Sequence, residues 1–269
     1  MNLQQYRQLC QKNESENYLL DKLIFRKISI FITILFIKLK ITSNQATFLS
    51  LLASLASLYF LTFNTRTALL TAAALIFTYY LLDHVDGELA RYAIKTGQAQ
   101  PNLKGHYFDV LVHRYSTNLM LFCIGLSIYN LYGYRWAVLL GFIACIGLSS
   151  FPNVIAAQVI AGKIATNRQL VHSDPALGKI LAELETKEQQ IAAVHSSSLR
   201  QKAKKLVIES LFFPGHIIVL IVVLLIDAYW PGFAAFNLRC LLLVGFTLLY
   251  TLKTIIQSML WLAKLKTIA

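Results

Sequence analysis

The stretch Asp83-His84-Val85-Asp86-Gly87-Glu88-Leu89-Ala90-Arg91, followed after 13 residues by Gly105-His106-Tyr107-Phe108-Asp109-Val110-Leu111-Val112-His113, decides how the chain is read. Both pieces sit at the ends of long apolar runs. Charged groups inside a membrane span cost several kcal/mol and need a reason to be there. On a helix turning 100° per residue, Asp83, Asp86, Gly87 and Ala90 fall within an arc of about 100°. His84 and Glu88 point elsewhere, and Glu88 is expected to pair with a loop lysine. On the next helix Gly105, Asp109 and His113 drift by only about 40° per step. The small residues Gly87 and Ala90 let a backbone or a ligand come close. Three carboxylates and one imidazole therefore converge at one end of two neighbouring helices. Like charges tolerate this only around a cation, and hard oxygen ligands suit Mg²⁺ or Mn²⁺. Such ions neutralise phosphate oxygens during transfer, which points to diphosphate chemistry at a membrane surface. The competing reading is a set of helix-end charges paired with Arg91 and Arg114.

Working outward, the rest of the chain agrees with a membrane setting. Of 269 residues, 57% are apolar and 14% charged, and mean hydropathy is +0.57. A soluble domain is about 45–50% apolar and roughly 25% charged. Six apolar runs lie near 45–63, 67–91, 106–131, 136–161, 211–230 and 238–262. Each is long enough to cross about 30 Å of hydrocarbon as a helix. Ile28 to Ile37 is too short for that and is flanked by basic residues. It reads as an amphipathic helix on the membrane surface, with a seventh span as the alternative. The fold expected is an all-α integral membrane protein: residues 1–41 as a polar tail with the surface helix, 42–266 as a six-span domain, and 162–210 as a helical cytoplasmic connector.

The formal charge of +12 belongs to membrane topology and not to nucleic acid, since no basic stripe interleaved with aromatics lies outside the apolar runs. With both termini in the cytoplasm, 19 Lys and Arg face inward and three, Arg66, Arg135 and Arg239, face outward. In a bacterium this would be the inner membrane. The first 20 residues are polar, so no cleavable leader is expected. The four cysteines form no CxxC pair, which argues against a disulfide framework or a thiolate site. There is no HExxH, no P-loop and no Ser/His/Asp set. His172, His195 and His216 read as surface or interface residues, Pro152-Asn153 as a kink, and Lys253 as snorkelling or paired internally.

The Asp83–His113 segment resembles the signature of the CDP-alcohol phosphatidyltransferase family, D-x2-D-G-x2-A-R-x8-G-x3-D-x3-D. Seven of its eight fixed residues are present, as Asp83, Asp86, Gly87, Ala90, Arg91, Gly105 and Asp109. Thr42-Ser43-Asn44-Gln45-Ala46-Thr47, before the first span, is similar to the family's weaker Pro-Asn-x-x-Thr element. There are two departures. The spacer after Arg91 has 13 residues in place of 8, with Gly97, Pro101 and Asn102 to form a loop. His113 stands where the family has its last Asp.

The resemblance implies that Asp83, Asp86 and Asp109, with His113 as a further ligand, hold one or two Mg²⁺ or Mn²⁺ ions. Asp83, Gly87, Ala90, Arg91 and Gly105 would line the nucleotide diphosphate, Arg91 pairing with carboxylates or a phosphate. His113 would deprotonate an acceptor hydroxyl. His106 is expected beside the site. Asn44, Lys202 and Lys205 are weaker binding candidates, the lysines for an anionic acceptor. The implied partners are a CDP-alcohol donor (CDP-diacylglycerol, with a soluble CDP-alcohol as the alternative), a small polar or phosphorylated alcohol, the bilayer and a second copy in a homodimer. Competing functions are a catalytically silent scaffold of this fold and an ion or solute transporter.

Overall fold

The computed structural model describes residues 1–11, 24–100, 103–149, 215–230 and 237–265, and every element among them is a helix. In chain order these are α1 (Leu3–Cys10), α2 (Arg26–Lys38), α3 (Ser43–Leu61), α4 (Arg66–Lys95), α5 (Leu103–Tyr132), α6 (Arg135–Leu148), α7 (Gly215–Tyr229) and α8 (Leu238–Leu265). Three of them, α3, α4 and α8, are long and apolar enough to cross a membrane; α6 and α7 are shorter apolar helices. Helices lie over the described residues of all six expected runs, of which three are long and apolar enough to cross; 149 is the last described position of the fourth run.

Local chemistry sets the boundaries. The Thr42 hydroxyl accepts from Gln45 N and the Gln45 side chain reaches back to Thr42 N, which starts α3 with a capping box. Gly97, at φ +73°, stops α4, where Gly97 N bonds to Ile94 O and Gln98 N to Ala93 O. The long spacer is absorbed here: α4 continues one turn past Arg91 before the loop begins.

α4 is the axis of the bundle, with α1, α2, α3 and α7 packed on it, while α5 meets α3, α6 and α8. Tyr79, Tyr80 and Ile76 of α4 share a core with Met120, Ile124 and Ile128 of α5 and Leu220 and Leu224 of α7. Small residues let the backbones touch. A Cβ on Gly141 of α6 would lie 3.0 Å from the Leu121 carbonyl of α5. One on Gly147 would meet Tyr250 of α8 at 2.9 Å. Outward faces such as Phe48, Leu52 and Tyr59 on α3 and Leu248, Leu252 and Met259 on α8 are apolar, as hydrocarbon contact requires.

The end of the bundle away from the carboxylates is tied by Arg239, which the sequence reading placed among the outer basic residues. It is only 3% exposed. Its Nε donates to Asp227 Oδ2 of α7 at 2.6 Å, and its Nη1 donates to Asn64 Oδ1 at 2.7 Å and to Ser127 Oγ of α5. One guanidinium thereby joins four segments.

The stretch read as a polar tail contains α1, held on the end of α4. Lys95 Nζ donates to the Gln8 carbonyl, and Gln11 Nε2 donates to the Arg26 carbonyl and to Glu88. α2 packs with Ser29, Ile30 and Thr33 buried, while Ile28, Phe31 and Leu35 are exposed.

Candidate metal centre and active site

Asp83 and Asp86 lie three residues apart on α4, and Asp109 lies one turn after Gly105 on α5. Each brings one carboxylate oxygen to a common point, and the three oxygens lie within 4.8 Å of one another. Asp86 is 4% exposed; Asp83 and Asp109 are half-buried. At that separation two ionised carboxylates repel by roughly 3–4 kcal/mol for an effective dielectric near 20. The N-terminus of α3 completes the wall. Thr47 Oγ1 donates to Asp86 Oδ2 at 2.6 Å, and Ser43 Oγ donates to the Asp86 carbonyl at 2.9 Å. A Cβ at Gly105 would lie 3.1 Å from Asn44 Oδ1, so Asn44 fills the space that this glycine leaves.

His113 is one turn beyond Asp109. Its Nδ1 lies 3.4 Å from Asp83 Oδ1 and 3.2 Å from the Tyr79 hydroxyl. On the α6–α7 side, a cavity of about 190 Å³ is lined by His113, Arg114, Asn118, Ser149 and His216 among others. His216, read as a surface or interface residue, is 2% exposed and packs edge-on against Phe246 and Tyr250.

The two arginines bond to main chain. Arg91 Nε donates to the Cys10 carbonyl, and its guanidinium covers Gly87, where a Cβ would meet Nη1 at 3.2 Å. Arg114 Nη1 donates to the Ser149 carbonyl at 3.3 Å. Ala90 is half-buried beside them. Lys253 lies half-exposed, its Nζ 6.0 Å from the centre of the Tyr250 ring.

Glu88 departs from its expected pairing with a loop lysine. It is 1% exposed and accepts from Ser29 Oγ at 2.7 Å, Thr33 Oγ1 at 2.6 Å and Gln11 Nε2 at 3.0 Å. Short hydroxyl bonds solvate this buried carboxylate. Outside the thiolate range, burial pushes the nearby Cys10 thiol up to about 11. Lys202, Lys205, Pro152-Asn153, His172, His195 and the His106 side chain lie outside the described residues.

Sequence reasoning missed Thr47 and Tyr79. Tyr79 is one turn before Asp83, on the face that carries Asp83, Asp86 and Ala90, and that spacing could have found it. Thr47 stood inside the quoted Thr42–Thr47 element, but a hydroxyl there has no unique reading without its partner.

An all-helical bundle with three helices long and apolar enough to cross a membrane and three carboxylates gathered at one point defines a class: helical membrane proteins with a candidate cation site. The family model described as CDP-alcohol phosphatidyltransferase matches residues 40–184, and the chain belongs to that family. No individual curated protein matches it. The family comprises transferases of the EC 2.7.8 type, which move a phosphatidyl group from a CDP-alcohol, and its members use divalent metals. The residues fit such an ion: the cluster offers oxygen donors only, at mutual distances one cation can bridge.

Proposed function

We propose that this chain transfers the substituted phosphate of CDP-diacylglycerol to the hydroxyl of a small polar or phosphorylated alcohol, releasing CMP, as a step of phospholipid biosynthesis. The observation that carries this reading is the meeting of Asp83, Asp86 and Asp109 oxygens within 4.8 Å, on the segment bearing the family signature. These three residues would hold one or two Mg²⁺ or Mn²⁺ ions. Bound there, the metal would neutralise the charge that builds on the diphosphate as CMP departs.

The chain's own residues do the rest. Asp86 is fixed by Thr47, so its carboxylate is oriented before substrate arrives. Gly87 and Ala90 would make room along α4 for the nucleotide once the Arg91 guanidinium, which lies over Gly87, turns to a phosphate. His113 takes the proton from the acceptor hydroxyl. The acceptor oxygen bonds to the β-phosphorus, and the bond from that phosphorus to the CMP oxygen breaks. Lys202 and Lys205 are assigned to a phosphorylated acceptor by their charge alone. The six-span topology with cytoplasmic termini, the placement of α2 at the interface and a homodimer complete the proposal. Burial of Arg239 supports the topology, since it removes one of the three basic residues counted outside.

The test is CMP release by purified protein in nanodiscs. It is supplied with CDP-diacylglycerol, Mg²⁺ or Mn²⁺, and glycerol phosphate, serine, inositol or inositol phosphate in turn. Metal-dependent release that Asp86→Asn abolishes supports the reading, and the best acceptor names the product. Silence here and with soluble CDP-alcohols sinks it and favours the scaffold. Solute movement across sealed vesicles without CMP favours a transporter.

A further inference from the structure

We propose that α1 is an autoinhibitory strap: through the Cys10 carbonyl it holds Arg91 over Gly87, in the space meant for the donor's nucleotide diphosphate, so that α1 docking and donor binding exclude each other at one side chain. The inference rests on the function proposed above, which places the nucleotide along Gly87 and Ala90.

α1 is eight residues long and buries only Cys10. A helix this short is not stable by itself in water, so its order comes from what it touches. With Gln11 it touches α4 at Glu88, Arg91, Tyr92 and Lys95, a spacing that forms one stripe along that helix. Gln11 Nε2 donates to Glu88 Oε1 at 3.0 Å, and the Tyr6 and Tyr92 rings stack with centroids 6.3 Å apart. The other two contacts are cationic. Arg91 Nε donates to the Cys10 carbonyl, and Lys95 Nζ donates to the Gln8 carbonyl. Both carbonyls belong to the last turn of α1, where the helix itself supplies no partner. A cation there is also favoured by the helix dipole. Arg91 is therefore one of two C-terminal caps that fasten α1 to α4.

The same guanidinium occupies the site. Residues four apart share a helix face, and side chains lean back toward the helix N-terminus, which lays Arg91 on Gly87. A Cβ at Gly87 would meet Nη1 at 3.2 Å, Nη2 at 3.5 Å and Cζ at 3.7 Å, so the whole head group rests there. The next residue back is Asp86, the most buried of the three carboxylates. Nε, Nη1 and Nη2 form one rigid plane. A guanidinium that leaves Gly87 for a phosphate therefore takes Nε from the Cys10 carbonyl, and α1 loses a cap. Linkage makes the coupling reciprocal: what the donor takes from α1 docking, α1 docking takes from donor affinity.

The test titrates CDP with Mg²⁺ into the full chain in nanodiscs and follows binding by calorimetry. Gln8→Pro breaks α1, because proline lacks the N–H and clashes with the carbonyl one turn back, and it touches no residue of the site. CDP should bind Gln8→Pro about fivefold or more tightly than wild type. In an Arg91→Ala background the same change should shift affinity by less than about twofold. Equal or weaker binding by Gln8→Pro overturns the proposal and makes α1 a support for Arg91. An equal shift in both backgrounds overturns it too, since α1 would then act by another route. The second measurement needs no variant. CDP with Mg²⁺ should speed hydrogen exchange over residues 3–10 of the wild type by the same factor, with α6 unchanged; equal or slower exchange overturns the proposal. Both shifts without CMP release from CDP-diacylglycerol would sink the proposed transfer alone. CMP release with neither shift would sink this inference alone, and no binding of CDP by any variant would sink both.

Discussion

The two ends of the bundle both bury charge, and they do it in opposite ways. At one end Arg239 meets a single carboxylate, Asp227, through Nε, and its Nη1 donates to Asn64 and Ser127. The buried Asp227 charge there has its complement within the chain. At the other end three carboxylates converge, assisted by hydroxyls from Thr47 and, through His113, Tyr79. Removing two charges from water is repaid only if pairing is good and the other lone pairs are satisfied. The Arg239 end meets that condition and acts as a fastener. The carboxylate end pays repulsion for a geometry that only a cation makes favourable. Buried charge alone does not mark a site, but the convergence of three like charges on one point does.

The widest separation of the two ends comes from removing one acid at the first. Asp86→Asn should lower CMP release by about a thousandfold or more, as expected where charge stabilisation of the transition state is lost. Without metal, the same change should leave the unfolding temperature equal or higher, because it removes one repelling charge. A clear fall in that temperature would mean that the cluster is structural. The mirror experiment is Arg239→Ala. It leaves Asp227 buried without its partner and should cost about 3–5 kcal/mol of stability. The fraction that stays folded should keep its turnover per molecule. Arg239→Met with Asp227→Leu should recover much of the loss in thermal unfolding.

Metal gives the next contrast. Saturating Mg²⁺ at about 100 times its dissociation constant should stabilise the wild type by about 2.7 kcal/mol. Thermal unfolding in detergent should show that gain in Arg239→Lys as well, and not in Asp86→Asn. An equal gain in all three would place the ion elsewhere.

These ends were unequally legible in the sequence. The carboxylate end could be read because helical spacing puts Asp83, Asp86 and Ala90 on one face, and because acids are rare enough in apolar runs to demand an explanation. The helices were legible for the same reason, since long apolar runs are simple to see. The Arg239 end was not. Its partners come from positions 64, 127 and 227, and no local spacing connects residues so far apart in the chain. A lone arginine beside a short break reads as a loop charge until the fold carries it inward. Glu88 failed likewise: its helix position was right, but Ser29 and Thr33 look like ordinary polar residues until α2 lies against α4. The packed side of α2 proved to include its hydroxyls Ser29 and Thr33. A periodicity can separate two faces, but it cannot say which one meets protein.

Glu88 sharpens the comparison from an intermediate position, as a carboxylate solvated by hydroxyls and an amide. Glu88→Gln weakens charge-assisted bonds worth about 1.5–3 kcal/mol in sum. The expected outcome is looser docking of α1 and α2. It would be read as faster hydrogen exchange over residues 3–10 and 26–38, with that of α8 unchanged.

The smallest effects come from a pair of hydroxyls, one at each end. Thr47 donates to Asp86, and Ser127 accepts from Arg239 while donating to Asn64 Oδ1 at 2.9 Å. Each substitution removes one oxygen and little volume. Ser127→Ala leaves an Arg239 N–H and an Asn64 oxygen each short of a partner, which should cost about 1–2 kcal/mol of stability. Turnover should not change, because nothing at that end touches substrate. Thr47→Val removes a donor from a carboxylate already crowded by two others. Its stability cost should stay within about 1 kcal/mol. Its effect on CMP release should reach about tenfold, because Asp86 is then free to turn away from the shared point. The pair is decisive in its crossing: one variant loses stability and keeps activity, and the other does the reverse. If Thr47→Val lost stability as Ser127→Ala does while turning over normally, the hydroxyl would be a fastener too, and the division between the two ends would fail at the residue that best defines it.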